Sequence, residues 1–238
     1  TKKYKRKFDN KELLSYAMKN DFISSISHEI RTPLTSIKGW SVTLKEGADK
    51  ELLDKGLGII EKETDRLTVL VNSLLDFSRL QSDNMTLAVA SLDLKGLIDS
   101  TVDQMRPRAQ RLGISIATDI DDMPPIKGDF NRLKQVLINI LDNSLKFTDS
   151  GGSIDVHAQR EADMVSIVIK DTGQGIPRKN LDHITEKFYT AQAKHSGSGI
   201  GLAISKEIIE LHGGKLSIKS KAGVGTSVTI ELPAGELK

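Results

Sequence analysis

The fold of the first part of the chain is decided by the stretch Phe22-Ile-Ser-Ser-Ile-Ser-His-Glu-Ile-Arg-Thr-Pro-Leu-Thr-Ser-Ile37. From Leu14 onward, apolar residues recur every three or four positions, which is the spacing of one face of an α-helix. His28 lies two residues from an apolar position on either side, so its imidazole is expected to face solvent. Glu29 flanks His28, and Thr32 lies one turn further along. The pattern predicts a long amphipathic helix that exposes a histidine close to a carboxylate and a hydroxyl.

A second helix is predicted to pair with the first. The first helix is expected from about Asn10 to Glu46, the turn at 47–50, and the second helix over 51–81. Two such helices cannot cover their own apolar sides, so two hairpins packed as a four-helix bundle, and hence a homodimer, are expected. The alternative is a monomer whose apolar side packs on its own C-terminal domain. The heptad seam of the second helix comprises Leu53, Leu57, Ile60, Thr64, Leu67, Val71, Leu74 and Ser78.

Composition limits the class of protein. The 238 residues carry a net charge of +2 without an Arg-rich helix face, so nucleic acid is not an expected partner. The absence of cysteine excludes disulfides, thiol catalysis and cysteine-ligated metals. No apolar run reaches the ~18 residues of a membrane span. The basic cluster Lys2–Lys7 is either a solvated helix end or a juxtamembrane segment. We therefore expect a cytoplasmic portion of a larger protein that contacts a membrane only through an N-terminal part outside this chain.

The pattern of predicted secondary structure changes after the polar stretch 81–84. This stretch divides the chain into predicted domains 1–83 and 84–238. Strands and helices alternate in the second domain, with strands in hairpins, which predicts an α/β sandwich with a mixed sheet and helices on one face. The predicted strands are Met85–Leu92, Ile114–Thr118, Ser153–Gln159, Met164–Lys170, Lys215–Ser220 and Ser227–Leu232. The predicted helices are Leu94–Leu112, Asp129–Phe147 and Ile200–His212.

One helix of the second domain carries a polar face suited to a nucleotide. Asn139, Asn143 and Lys146 lie at i, i+4 and i+7, so they share one side of the helix. Carboxamide oxygens suit a hard cation such as Mg²⁺, and an ammonium group suits phosphate. From this helix alone, an ordinary solvated polar face is an equally good interpretation.

Two glycine-containing motifs follow. In Asp171-Thr-Gly-Gln-Gly175 the carboxylate can accept a hydrogen bond from an exocyclic amine, while Gly173 and Gly175 let the backbone approach a flat ring. Ser196-Gly-Ser-Gly-Ile-Gly201 precedes a helix, where exposed amides favour phosphate. Its spacing does not match a dinucleotide fingerprint. Each motif alone is also compatible with an ordinary turn.

The motifs together resemble those of sensor histidine kinases of two-component systems. The run 27–34 resembles the H-box, in which the histidine is the phospho-acceptor. A lone surface histidine usually has no role, but a fixed order of eight residues, followed by further motifs of the same family, is specific. The segment 131–148 resembles the N-box, which implies that Asn143 is the Mg²⁺ ligand and that Lys146 contacts phosphate. Asn139 stands where gyrase-like and chaperone ATPases carry a glutamate that activates water.

The resemblance extends to the adenine-binding G1 box, where it implies that Asp171 reads adenine N6. One position departs from the pattern, because Thr190 replaces a commonly basic residue of the ATP lid; we hypothesise that Lys194 substitutes for it. The other binding residues implied by the resemblance are Lys187 and Tyr189 of the F-box, Gly197, Gly199 and Gly201 of the G2 box, and Thr226 of the last glycine box.

The resemblance implies an ATP- and Mg²⁺-dependent kinase that phosphorylates its own His28. Glu29 is expected to accept a hydrogen bond from the Nδ1–H of His28, which leaves Nε2 as the nucleophile. The phosphoryl group would then pass to an aspartate of a response-regulator receiver domain, and Thr32 would orient water for dephosphorylation of that regulator. Two rivals share part of the pattern: a gyrase-like or chaperone-like ATPase, and a catalytically silent dimerisation scaffold.

Overall fold

The computed structural model describes residue 24 and residues 26–81, 86–181, 183–185 and 200–235, which belong to two units. The first unit is a helical hairpin of α1 (26–45) and α2 (Lys50–Gln81). Positions 10–23 and 25 of the predicted first helix lie outside the described residues. The turn predicted at 47–50 is confirmed, although α2 begins one residue early. Asp49 starts α2, because its Oδ1 accepts a hydrogen bond from the Leu52 amide at 2.8 Å.

The two helices of the hairpin approach closely at Gly56. A Cβ atom at this position would lie 2.8 Å from Cε3 of Trp40 and 3.0 Å from the methyl groups of Leu44, so a larger residue would force these side chains to move. The apolar seam of α2, in contrast, is open to solvent in this single copy: Leu53 is 40% exposed and Leu57 50% exposed. Within the described residues, the hairpin therefore leaves apolar surface that it does not cover by itself.

The second unit is an α/β sandwich. Its elements are β1 (Ala90–Leu92), α3 (Leu94–Leu112), β2 (Ser115–Ile120), β3 (Ile126–Gly128), α4 (Phe130–Phe147), β4 (Ser153–Glu161), β5 (Met164–Asp171), α5 (Arg178–Leu181), α6 (Gly201–Leu211), β6 (Lys215–Lys221) and β7 (Gly225–Pro233). The five-stranded sheet has the order β2-β4-β5-β7-β6. Only β2 and β4 pair in parallel, so the sheet is mixed, as predicted.

The core lies between one face of this sheet and the helices α3, α4 and α6, which contact it. Alternate residues of each central strand are buried, and the opposite face exposes residues such as His157 and Lys170. The two-layer arrangement with helices on one face confirms the predicted fold class. Fully buried core residues include Ile154, Ile167 and Ile169 of the sheet and Leu97, Ile140, Leu141, Ile204 and Ile208 of the helices.

The strands predicted at the start of this unit were wrong. The strand expected over 85–92 is limited to β1, because its only strand partner among the described residues is the three-residue β3. The prediction missed β3, which is too short to show a period-two pattern. The helix predicted over Leu94–Leu112 is confirmed: α3 spans these residues with Pro107 inside it and ends at Gly113 in the left-handed conformation (φ 70°).

A buried histidine joins three segments of this unit. The Nε2 of His212 accepts a hydrogen bond from the Asp129 amide at 2.9 Å, and its Nδ1–H donates to the Ile208 carbonyl at 2.7 Å. The side chain of Asp129 in turn accepts from the amides of Arg132, in the first turn of α4, and Ala88. The network fixes the start of α4 against the end of α6.

His212→Ala should lower the free energy of unfolding by about 1–3 kcal/mol, because it leaves the buried Asp129 amide without its partner, while the Ile208 carbonyl keeps its bond from the backbone amide of residue 212. Urea denaturation followed by circular dichroism measures the change. His157→Ala is the matched control, since the His157 side chain is half exposed, and it should change stability by less than about 0.5 kcal/mol. An unchanged midpoint for His212→Ala would show that the network does not stabilise the unit.

Candidate active site

The centre of the candidate site in the second unit is the carboxylate of Asp171, at the end of β5. Its side chain is only 6% exposed. Oδ1 accepts hydrogen bonds from the amides of Gly173 at 3.0 Å and Thr226 at 3.1 Å, and Oδ2 accepts from the hydroxyl of Ser144 at 3.2 Å. A buried carboxylate requires such donors, since burial without them is costly. Three separate segments of the chain therefore orient one acceptor group.

The turn after Asp171 depends on close backbone approach. A Cβ atom on Gly173 would collide with the carbonyl oxygen of Phe147, at the end of α4. Gly175 has a φ of 65°, and a Cβ atom there would collide with the carbonyl oxygen of Lys221. Both glycines singled out from the sequence are thus required by the path of this turn, which connects α4, β5 and β6.

The polar face of α4 is present, and its members differ in their contacts. The Nδ2 of Asn139 donates to the Gly201 carbonyl and to Ser205 Oγ, each at 3.4 Å. Asn143 is half-buried, and its carboxamide has no hydrogen-bond partner among the described residues. The Nζ of Lys146 lies 5.1 Å from the centroid of the Phe147 ring. Asn143 is therefore the group on this face that can take a ligand without breaking an existing contact.

Two serines of this region were missed by the sequence analysis. Ser144 is buried and donates to Asp171. A signal was available, because Ser144 follows Ile140 and Leu141 at helical spacing and is therefore a polar residue on the apolar side of α4. Ser220 accepts from the Ile176 amide at 2.8 Å and lies 2.9 Å from Thr226 Oγ1. No spacing rule points to Ser220, since its partners come from other segments.

The first unit carries its candidate residues on α1. His28 is exposed, and Glu29 beside it is half-buried. Thr32 is exposed, and its Oγ1 donates to the backbone carbonyl of His28 at 3.1 Å. The imidazole is accessible on the surface of α1, as its position in the apolar pattern predicted.

Several residues implied by the resemblance lie outside the described residues: Lys187, Tyr189, Lys194, Gly197 and Gly199. Gly201 is described and opens α6, where it contacts Asn139. Of the residues implied by the resemblance, the structure brings Asp171, Gly173, Gly175 and Thr226 together.

The donor chemistry fits Mg²⁺. Asn143 offers a carboxamide oxygen, which is a suitable ligand for a hard cation. Within the described residues, no group of three or more histidine, aspartate or glutamate side chains could hold a metal ion. Mg²⁺ is commonly held by one or two protein groups together with phosphates and water, so a single carboxamide can contribute to such a site.

Comparison with known proteins connects both units to families. Residues 18–83 match the family model of the His Kinase A (phospho-acceptor) domain. Residues 128–236 match that of the histidine kinase-, DNA gyrase B- and HSP90-like ATPases. Within the described residues, no helix has the length and apolar character needed to cross a membrane.

The alignments with relatives cover nearly the whole chain. The alginate biosynthesis sensor protein KinB of Pseudomonas aeruginosa is 33% identical over 220 residues, which is 91% of this chain and 37% of KinB. Full-length ShkA in complex with AMPPNP is 30% identical with a TM-score of 0.69, and the match covers 90% of this chain and 46% of ShkA.

Histidine kinase ThkA in complex with the response regulator protein TrrA is 26% identical with a TM-score of 0.65, and the match covers 98% of this chain and 67% of ThkA. The phospho-acceptor and ATPase models match this one chain in that order, and the relatives covering most of it are sensor or histidine kinases. The chain therefore belongs to the sensor histidine kinases of two-component systems.

Proposed function

We propose that this chain is the catalytic core of a sensor histidine kinase that transfers the γ-phosphoryl group of ATP to its own His28. The observation that carries the proposal is an exposed histidine inside the match to a phospho-acceptor domain, in the same chain as an ATPase-type domain. Residues 1–83 would form the phosphotransfer and dimerisation domain, and residues 84–238 the ATP-binding domain.

Within the ATP-binding domain, each polar group has a chemical role. Asp171 would accept a hydrogen bond from adenine N6, with Gly173, Gly175 and Thr226 beside the ring. Asn143 would ligate Mg²⁺, which supplies neutralisation of the phosphate charge. Lys146 would contact phosphate as a point charge. The binding of AMPPNP by the relative ShkA supports a nucleotide at this site.

Asn139 would favour the kinase reaction over hydrolysis of ATP. Its carboxamide is a poor base, so it cannot activate water as a carboxylate in that position would. Its donor group already bonds to Gly201 and Ser205 of α6. This favours a kinase over a gyrase-like or chaperone-like ATPase, and the polar site itself is unexpected in a silent dimerisation scaffold.

At the phospho-acceptor, Nε2 of His28 would attack the γ-phosphorus while the bond to the ADP oxygen breaks. Glu29 would hold the Nδ1 proton, so that the lone pair lies on Nε2 and the developing imidazolium is stabilised. Little further covalent help is required, because phosphoryl transfer depends mainly on positioning and on charge neutralisation. The products are phosphohistidine and ADP.

Two partners follow from the proposed reaction. The exposed seam of α2 supports a homodimer, in which a second hairpin covers Leu53 and Leu57. The complex of the relative ThkA with TrrA supports transfer from His28 to a response regulator. Thr32, on the same exposed face, would orient water against the phosphorylated regulator and thereby confer phosphatase activity.

Other parts of the proposal rest on the resemblance alone. The chain would act on the cytoplasmic side of a larger sensor, whose membrane contact lies elsewhere in that protein. Lys187, Tyr189 and Lys194, with Gly197 and Gly199, would belong to the lid and phosphate loop that cover ATP, and Lys194 would supply the cation absent at Thr190.

His28→Ala should abolish autophosphorylation and leave ATP affinity unchanged, because the nucleophile and the nucleotide site belong to different domains. Incubation with γ-labelled ATP followed by acid treatment measures the acid-labile, base-stable product. His157→Ala is the control and should label normally. Acid-labile phosphate retained by His28→Ala would reject His28 as the acceptor.

Asn143→Ala should lower autophosphorylation by about 100-fold or more, since the proposed protein ligand of Mg²⁺ is lost. Phosphorylation rates measured over a range of Mg²⁺ concentrations test this. Asn131→Ala removes an exposed carboxamide from the first turn of the same helix and should retain the parent rate. Equal rates for both variants would exclude Asn143 as the ligand.

Thr32→Ala should leave labelling of His28 near normal but abolish dephosphorylation of the regulator, because the hydroxyl is needed only to orient water. Thr35→Ala is a matched control, as Thr35 is also exposed on α1 and its hydroxyl donates to the Arg31 carbonyl in the same way. Equal loss of both activities in Thr32→Ala would instead indicate a role in helix packing.

A further inference from the structure

The hydrogen bonds that the described residues make to Asp171 leave one acceptor position of its carboxylate free. A carboxylate has about four lone-pair positions, two on each oxygen. Oδ1 already accepts from the amides of Gly173 and Thr226, whereas Oδ2 accepts only from Ser144 within the described part of the chain. The remaining lone pair therefore lies on Oδ2, the oxygen to which Ser144 donates.

The three donors differ in what holds them in place. The Thr226 amide is set by the pairing of β7 with β5, where Thr226 faces Asp171, and the Gly173 amide is set by the following turn. Ser144 is the only side chain among the three, and it comes from α4, the helix that also carries Asn139 and Asn143. Its hydroxyl is 3.2 Å from Oδ2, and its side chain is 3% exposed, so solvent does not compete for it.

We propose that Ser144 is a positioning residue that sets base selectivity: it directs the free Oδ2 lone pair of Asp171 toward a donor on the purine ring, so that a 6-amino group is accepted and a 6-oxo group is rejected. The inference rests on the proposed role of Asp171 in reading adenine. A 6-oxo group presents an acceptor to an acceptor, which a carboxylate fixed in one orientation cannot accommodate. Without the Ser144 hydroxyl, Oδ2 loses the donor that fixes it, and the carboxylate can turn about the two hydrogen bonds that hold Oδ1.

The test compares ATP with inosine triphosphate, which carries a 6-oxo group in place of the 6-amino group. In Ser144→Ala, the ratio of the ATP and inosine triphosphate affinities should fall about tenfold, the change expected for loss of one hydrogen bond to a charged acceptor. Titration calorimetry on the intact chain gives both affinities. Autophosphorylation should show a higher KM for ATP with an unchanged kcat, because the groups at the γ-phosphate are untouched.

Thr101→Val is the matched control. Thr101 is fully buried on α3, and its hydroxyl donates to the Leu97 carbonyl at 2.7 Å, so this change also removes one buried helical hydroxyl. It should lower stability without altering the affinity ratio. A ratio in Ser144→Ala equal to that of the parent, or an equal loss of affinity for both nucleotides, would overturn the proposal.

Asp171→Asn separates this inference from the proposed function. If Asp171→Asn abolishes the preference for ATP while Ser144→Ala retains it, Asp171 reads the base and only the role of Ser144 is rejected. If Asp171→Asn retains the preference as well, the proposed adenine contact itself fails, and the role of Ser144 fails with it.

Discussion

The buried carboxylate of Asp171 is satisfied only when α4, the turn after β5 and the start of β7 are all in place. Leaving such a group without donors would cost several kcal/mol, so the correct arrangement of these segments is strongly favoured over alternatives. The contacts that hold these segments together therefore also assemble the candidate site. The close approaches at Gly173 and Gly175 serve the same constraint, since a larger side chain would push the turn away from α4 at Gly173 and away from β6 at Gly175.

A second buried carboxylate acts at the other end of the same helix. Asp129 caps the first turn of α4 and links it to His212 at the end of α6, while Ser144 ties the last turns of α4 to Asp171. The helix bearing Asn139 and Asn143 is therefore held at both ends by polar groups as well as by its apolar side. Buried polar networks of this kind resist sliding of a helix along a sheet, which apolar packing alone permits more readily.

The hairpin depends on helical periodicity rather than on buried polar networks. The exposure of His28 follows directly from helical periodicity, and the open seam at Leu53 and Leu57 follows from the same periodicity on α2. The candidate reactive side chains of the hairpin reach its surface without any long-range contact. For this reason the sequence pattern was a good guide to α1 and α2, including the turn between them. It was a poor guide to β1 and β3, since two three-residue strands form only by pairing with each other.

The sequence by itself determined the helical hairpin, the mixed α/β sandwich, the exposed histidine, and Asp171 with its glycines as candidate site residues. Each of these depends on spacing along the chain, which a periodic or turn-forming pattern records. Only the tertiary structure decided how Asp171 is oriented. Ser144, Thr226 and Gly173 donate to one carboxylate from positions up to 82 residues apart (226 − 144). Such a convergence depends on strand pairing and helix packing, and no local pattern in the sequence encodes it.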